Sequence, residues 1–302
     1  MKRATWIVTV GIGLVLGVLN GPLARAASLP DVEYAKPDGV SLQLDLETPD
    51  GDGPFPAVIF VHGGDFIAGN RKGTNKGLIA ALKAEGIAWA SIEYRMAPQY
   101  HFPVLKDDVE TAVRFLKSHA KEYRLRPDRL AVMGESAGTL LVSQVGALAK
   151  GDSRVAAVIG ISGTHDLRRR FHPTGGCFIA GKFIDNPNPG QPQLCLPTGI
   201  AAYLDLKGPG PEVEAAIKKA SPRELIHPGM PPYLLVHGSA DLNAPFEQSV
   251  LMFEAMRAAG QPCDLIVIDG GGHGMGRWDA VPEQAGYRAK MVAWIKRTLG
   301  SR

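Results

Sequence analysis

The chain has 302 residues, 45% of them hydrophobic and 21% charged, which is ordinary globular material with length enough for one large α/β core or two small ones. No block recurs at a fixed period, so a repeat architecture is excluded and a single domain is expected. The formal charge of +3 belongs to residues 1–26, which hold Lys2, Arg3 and Arg25 and no acid; without these three the 33 basic residues become 30 against 30 acidic ones, a balance that excludes binding of nucleic acid or an anionic membrane through a basic surface.

At the start of the chain, Lys2 and Arg3 precede an apolar run from Trp6 to Leu19, a Gly21-Pro22 break and the small-residue pattern Ala24-Arg25-Ala26. That order reads as a signal peptide cleaved near Ala26. The run is shorter than the roughly 20 residues that span a bilayer, and no cysteine stands nearby to take a lipid. The expected mature unit is residues 27–302, secreted or periplasmic, without stable membrane anchoring. Residues 30–46 alternate in polarity around Pro37-Asp38-Gly39, the signature of an antiparallel hairpin at the edge of a sheet.

Apolar, β-branched runs then follow at Ala57–Val61, Ile87–Ile92, Leu130–Met133, Val155–Ile161, Tyr233–Val236 and Leu265–Ile268, continuous enough to predict strands buried on both faces. Helical spacing separates them: Val109, Ala112, Val113, Leu116 and Ala120 share a face after Pro103, and Phe246, Val250, Phe253 and Met256 share another. Strand and helix in alternation predict a mostly parallel central sheet flanked by helices on both faces.

Regularity breaks between about 164 and 228, where prolines and glycines are scattered among aromatic residues and only Pro211 opens a short helix. Such an irregular, lid-like insertion inside one domain is expected to form a binding wall. Cys177 and Cys195 bracket part of it, and in an exported chain a bridge between them is expected, worth about 3 kcal/mol in the chain-entropy model. Cys263 opens an apolar strand and reads as core.

Gly134-Glu135-Ser136-Ala137-Gly138 fits G-x-S-x-G where the strand Leu130–Met133 gives way to a helical stretch. A serine on so sharp a turn needs glycine two residues either side, and its hydroxyl needs a base oriented by a third group. His273, in Gly270-Gly271-Gly272-His273-Gly274 directly after a strand, is the candidate base. Asp241, just beyond the strand Tyr233–Val236, is the candidate acid, with Asp269 as the second choice. His62 and His237 precede glycines at strand ends and are expected to shape their loops; His101, His119, His165, His172 and His227 read as surface or insertion residues. No cluster has metal-ligand spacing, so neither metal nor other cofactor is expected.

Ser136, Asp241 and His273 follow one another in the chain order of the α/β-hydrolase triad. Val61-His62-Gly63-Gly64-Asp65-Phe66-Ile67-Ala68-Gly69 resembles the oxyanion loop of hormone-sensitive-lipase-like esterases, and Tyr94-Arg95-Met96-Ala97-Pro98 resembles their Y-R-x-A-P signature. The segment Ala220–Asp241 and the downstream Gly-Gly-Gly-His-Gly are similar to bacterial feruloyl and acetyl-xylan esterase-like hydrolases. The resemblance covers roughly residues 31–300. It implies an α/β-hydrolase fold and an oxyanion hole made by the backbone amides of Gly64, Asp65 and Ala137. Two departures stand out. Thr139 follows where relatives carry a smaller residue or histidine, and would narrow the bottom of the pocket. Asp65 puts a carboxylate in an anion-binding loop, so its side chain is expected to turn away, toward loop amides, Arg71 or Arg95.

The expected function is a secreted serine carboxylesterase acting on short-chain, aryl or acetyl esters of a small molecule or saccharide through a Ser136 acyl-enzyme. An amide hydrolase of the arylformamidase or peptidase kind, or a lipase, would use the same triad; a non-catalytic binding protein on a hydrolase scaffold is the alternative of another class.

Overall fold

The computed structural model describes residues 26–169, 177–179, 182–184, 198–206 and 211–300. Residues 1–25 of the expected signal sequence, and Cys195 with its expected bridge to Cys177, lie outside them. Strands β1 (Ser28–Ala35) and β2 (Leu42–Glu47) form the expected antiparallel hairpin, turned at Pro37–Gly39. Leu42, Leu44 and Leu46 are buried while Gln43, Asp45 and Glu47 are half-buried, because β2 has only one fully covered face.

Next come β3 (Phe55–Val61), α1 (Lys76–Ala84), β4 (Ala88–Ile92), α2 (Val104–Ser118), β5 (Leu125–Glu135), α3 (Ala137–Leu148) and β6 (Ala157–Ile161). The insertion contributes the short antiparallel pair β7 (Cys177–Ile179) and β8 (Lys182–Ile184), then α4 (Thr198–Tyr203) and α5 (Pro211–Ala220). The chain closes with β9 (Tyr233–Gly238), α6 (Glu247–Ala258), β10 (Cys263–Ile268), α7 (Met275–Asp279) and α8 (Tyr287–Leu299).

Among the described residues eight strands make one sheet in the order β1-β2-β4-β3-β5-β6-β9-β10, antiparallel at β1–β2 and β2–β4 and parallel elsewhere. The apolar run of β3 divides between the two faces, as a pleated strand must. Ala57, Ile59 and Val61 join Val109 and Val113 of α2 and Leu140 and Leu141 of α3 on one side, while Val58 and Phe60 join Leu78 of α1 and Met291 and Ile295 of α8 on the other. Each of these valine, leucine, isoleucine, phenylalanine and methionine side chains, fully buried, contributes about 1.5–3 kcal/mol, so the two layers pin the sheet from both faces.

Two expectations fail locally. β10 is not buried on both faces: among the described residues it ends the sheet beside β9, Val267 is 45% exposed, and Cys263 is half-buried at the rim, not in the core. Burial still pushes the Cys263 thiol up to about 12, so it stays protonated at neutral pH. In α6 the buried face is Gln248, Ser249, Met252 and Met256, whereas Val250 and Phe253 are half-buried. The helix is rotated from its apolar stripe because Gln248 and Ser249 satisfy buried groups described below.

Candidate active site

Ser136 sits between β5 and α3 at φ 56°, ψ −118°, a conformation that costs about 1–3 kcal/mol in a residue with a side chain. The flanking glycines relieve the crowding: a Cβ on Gly134 would strike the Gly138 carbonyl, and one on Gly138 the Val61 carbonyl. The Ser136 amide donates to the Ile161 carbonyl at 2.8 Å. Thr139 is fully buried, its hydroxyl 2.8 Å from the Gly134 and Ile161 carbonyls and accepting from the Ile161 amide at 2.9 Å. It staples β5, α3 and β6 together, and its methyl packs against Gly160 and Gly163.

The structure brings the three expected side chains together from the carboxyl ends of β5, β9 and β10. His273 Nε2 is 3.0 Å from Ser136 Oγ, and His273 Nδ1 is 2.8 and 3.0 Å from the two Asp241 oxygens. With the proton on Nδ1 donated to Asp241, Nε2 is left to accept the serine hydroxyl. Asp241 is buried and takes the amides of Asn243 and Ala244 at 2.9 and 3.0 Å. Burial alone would raise its carboxyl, yet hydrogen bonds from His237 and His273, the charge of His273 and the Ala244 amide hold it well below the usual carboxylate range. Asp269, the second choice, instead pairs with Ser239 at 3.4 Å, whose hydroxyl accepts the Gly270 amide at 2.8 Å, so it braces the glycine turn before His273.

His237 does shape its loop, and it also supports the acid. Its Nδ1 is 2.7 Å from Ser249 Oγ and its Nε2 2.8 Å from the Ala244 carbonyl and 3.3 Å from Asp241. Sequence reasoning missed Glu135 and Ser162. Glu135 accepts the Met275 amide at 3.1 Å and Ser162 the Gly274 amide at 3.1 Å, so both grip the two residues after His273. Burial pushes the Glu135 carboxyl up, against the pull of the Met275 amide and His273. Its place beside Ser136 was the only signal. His165, expected as a surface or insertion residue, is fully buried behind the site, its amide and that of Asp166 held by Gln248 at 2.9 and 2.8 Å. His172 lies outside the described residues.

The glycine loop abuts Ser136: a Cβ on Gly63 would come within 3.0 Å of its Cβ. Gly64, Asp65 and Phe66 take φ of 119°, 52° and 66° in succession, a left-handed run in which aspartate is better tolerated than phenylalanine. The Gly64 carbonyl closes the turn by accepting the amides of Ile67 and Ala68 at 3.1 and 2.9 Å. The Tyr94–Pro98 segment braces it from behind. Tyr94 stacks on His62 at 4.4 Å and donates to its carbonyl at 3.0 Å, and the Ala97 amide donates to the Phe66 carbonyl at 2.9 Å. Arg71 and Arg95 are not the partners of Asp65. Arg71 pairs with Asp31, Asp45 and Glu93, and Arg95 with Asp38 and the buried Asp108. The Asp65 carboxylate instead accepts the Gly199 amide of α4 at 3.1 Å. Among the described residues no group of three or more His, Cys, Asp or Glu side chains is arranged to hold a metal ion.

A serine, an acid and a histidine drawn in that chain order from the carboxyl ends of a mostly parallel sheet flanked by helices are the α/β-hydrolase arrangement, and the fold is of that class. More narrowly, residues 44–175 match the BD-FAE family and residues 200–302 the prolyl oligopeptidase family. The chain is 29% identical to esterase LipC of Mycobacterium tuberculosis over 73% of its own length and 53% of that protein. It is 28% identical to a probable isoprenylcysteine alpha-carbonyl methylesterase of Arabidopsis thaliana over 76% of its length and 48% of that protein, and so spans about half the length of these curated relatives. Among solved structures, a truncated carbohydrate esterase from gut microbiota superposes with a TM-score of 0.70 at 24% identity, over 90% of this chain and 96% of that one, a likeness of fold.

Proposed function

We propose that this protein is a secreted serine carboxylesterase that works through an acyl-enzyme. The observation that carries the reading is the unbroken relay from Ser136 Oγ through His273 to Asp241, at 3.0 and 2.8 Å, behind a strained serine turn. His273 takes the serine proton as Oγ attacks the ester carbonyl and returns it to the leaving alcohol, and water then repeats the cycle on the acyl group. Asp241, ionised and fixed by two amides, holds the imidazole in the tautomer that leaves Nε2 free. The amides of Gly64, Asp65 and Ala137 supply the oxyanion hole, each worth about 10²–10³ in rate.

The esterase and methylesterase names of the 29% and 28% identical relatives support ester over amide substrates. Short-chain, aryl or acetyl esters, free or on a saccharide, are the substrate class proposed. The prolyl oligopeptidase match over residues 200–302 favours a second reading, an amide hydrolase with the same relay. Export rests on the order of charges, apolar run and small residues in 1–26. Among the described residues no helix is long and apolar enough to cross a membrane, and the expected cleavage at Ala26 removes nothing from β1, which starts at Ser28.

Turnover on aryl acetate, butyrate, octanoate and feruloyl esters, beside an N-formyl aromatic amide, tests the reading. The expected result is hydrolysis of the shorter esters well above the amide, lost by at least about 10³-fold in Ser136→Ala. Wild-type turnover by that variant would overturn the mechanism; faster amide cleavage would install the second reading.

A further inference from the structure

We infer that the Asp65 carboxylate is the latch through which helix α4 of the insertion sets the oxyanion loop, so that the insertion acts as a fixed part of the catalytic scaffold. The inference rests on the serine-hydrolase reading above and assigns a positioning role to Asp65 and Gly199.

Three observations converge. The loop residues at left-handed φ, Asp65 and Phe66, are both gripped by α4: the Asp65 carboxylate takes the Gly199 amide at 3.1 Å, and the Phe66 ring stacks on Tyr203 at 4.5 Å and 10°. A conformation that L residues avoid persists only where surrounding contacts over-determine it, and here both of these contacts come from residues more than 130 positions away. The fit is also steric. A Cβ on Gly199 would land on the Asp65 carbonyl and against its carboxyl, so glycine is required for the helix to approach this close.

The far side of α4 is anchored as well. Tyr203 is fully buried, its hydroxyl donating at 2.7 Å to Gln144 of α3, the helix that begins directly after Ser136. Gln144 in turn donates to the Ala220 carbonyl at 2.7 Å, and the Tyr203 carbonyl accepts the Phe102 amide at 2.8 Å. Thus α4 is a strut from the nucleophile helix to the loop that carries two of the proposed oxyanion donors. The same bond turns the carboxylate toward Gly199, away from a position in which it would oppose a developing oxyanion. It answers why aspartate stands where a third glycine would suffice: the side chain is an acceptor for α4 on a backbone that aspartate tolerates.

The test compares Asp65→Ala, Asp65→Asn and Gly199→Ala with wild type, using the best ester of the series above. Asp65→Ala and Gly199→Ala are expected to lower kcat by about ten- to a hundredfold, a fraction of what a lost oxyanion donor costs, with KM within about threefold. Asp65→Asn, which keeps the acceptor and the tolerance of positive φ, is expected to recover most of the Asp65→Ala loss. Hydrogen–deuterium exchange of residues 63–69 is expected to speed up in Asp65→Ala and Gly199→Ala and to return toward wild type in Asp65→Asn. Unchanged kcat and exchange in both disruptive variants would overturn the latch, as would Asp65→Asn behaving like Asp65→Ala. If Gly199→Ala fails to fold, Asp65→Ala on the other element carries the test. If the wild type hydrolyses no ester, the functional reading fails, and the exchange measurement still decides the latch.

Discussion

His165 illustrates how far a single residue's environment can depart from its sequence context. It stands just after β6 among small and polar neighbours, yet the structure seals it behind the site, where burial and the nearby His237 push it down to about 3. Its folded pKa is below the unfolded value near 6.5, so the unfolded chain binds a proton that the folded chain refuses. Stability is therefore full above pH 6.5 and is lost as pH falls toward 3; His62, lowered by burial against the Gly63 carbonyl and Glu93, adds in the same direction. From pH 6.5 to 5 the His165 contribution amounts to about 2 kcal/mol. His165→Gln should flatten the dependence of unfolding free energy on pH by about one proton, read from urea melts at pH 7 and pH 5. An unaltered slope would show that the histidine is not the group refusing the proton.

At the scale of elements, the segment Tyr94–Pro98 works as a bracket between loop and helix. Its backbone and Tyr94 hold the glycine loop, while Arg95 reaches α2 and makes a forked pair with Asp108, Nε to Oδ2 at 2.9 Å and Nη2 to Oδ1 at 2.7 Å. Asp108 is 2% exposed, so removing the guanidinium would strand a buried carboxylate. Arg95→Met should cost about 3–5 kcal/mol in urea denaturation, and adding Asp108→Leu should restore part of it, because the stranded charge then disappears. Equal losses in the single and double variants would place the effect elsewhere. The Y-R-x-A-P pattern was visible in the sequence, but the acid that Arg95 meets sits on a buried helix face that periodicity assigns to apolar residues.

For the whole molecule, the proposed export would change the charge. The basic pI of 8.7 comes from the full chain, and loss of residues 1–26 removes three basic residues and no acid. A processed protein should begin near Ala27 on N-terminal sequencing and focus near neutrality. A secreted form still focusing near 8.7 would show that the leader is retained. The sheet order carries the same lesson for the fold: β3 lies between β4 and β5, and β9 beside β6, so the three strand ends bearing Ser136, Asp241 and His273 converge although the residues are 105 and 32 positions apart.

By itself the sequence determined the parallel-sheet class, the glycine-flanked turn at Ser136, the candidate serine and histidine with two acids to choose between, and the hairpin at residues 30–46. All of these rest on strand periodicity and turn chemistry, which neighbours a few residues apart specify. Only the tertiary structure decided that Asp241 and not Asp269 faces His273, that Gln248 and Ser249 turn α6 inward, that His165 is buried and Thr139 is a staple, and that the Asp65 carboxylate meets Gly199. Those outcomes depend on which surfaces meet across a sheet whose strand order differs from chain order, and hydrogen-bond partners there are chosen by distances of about 3 Å that no local pattern encodes.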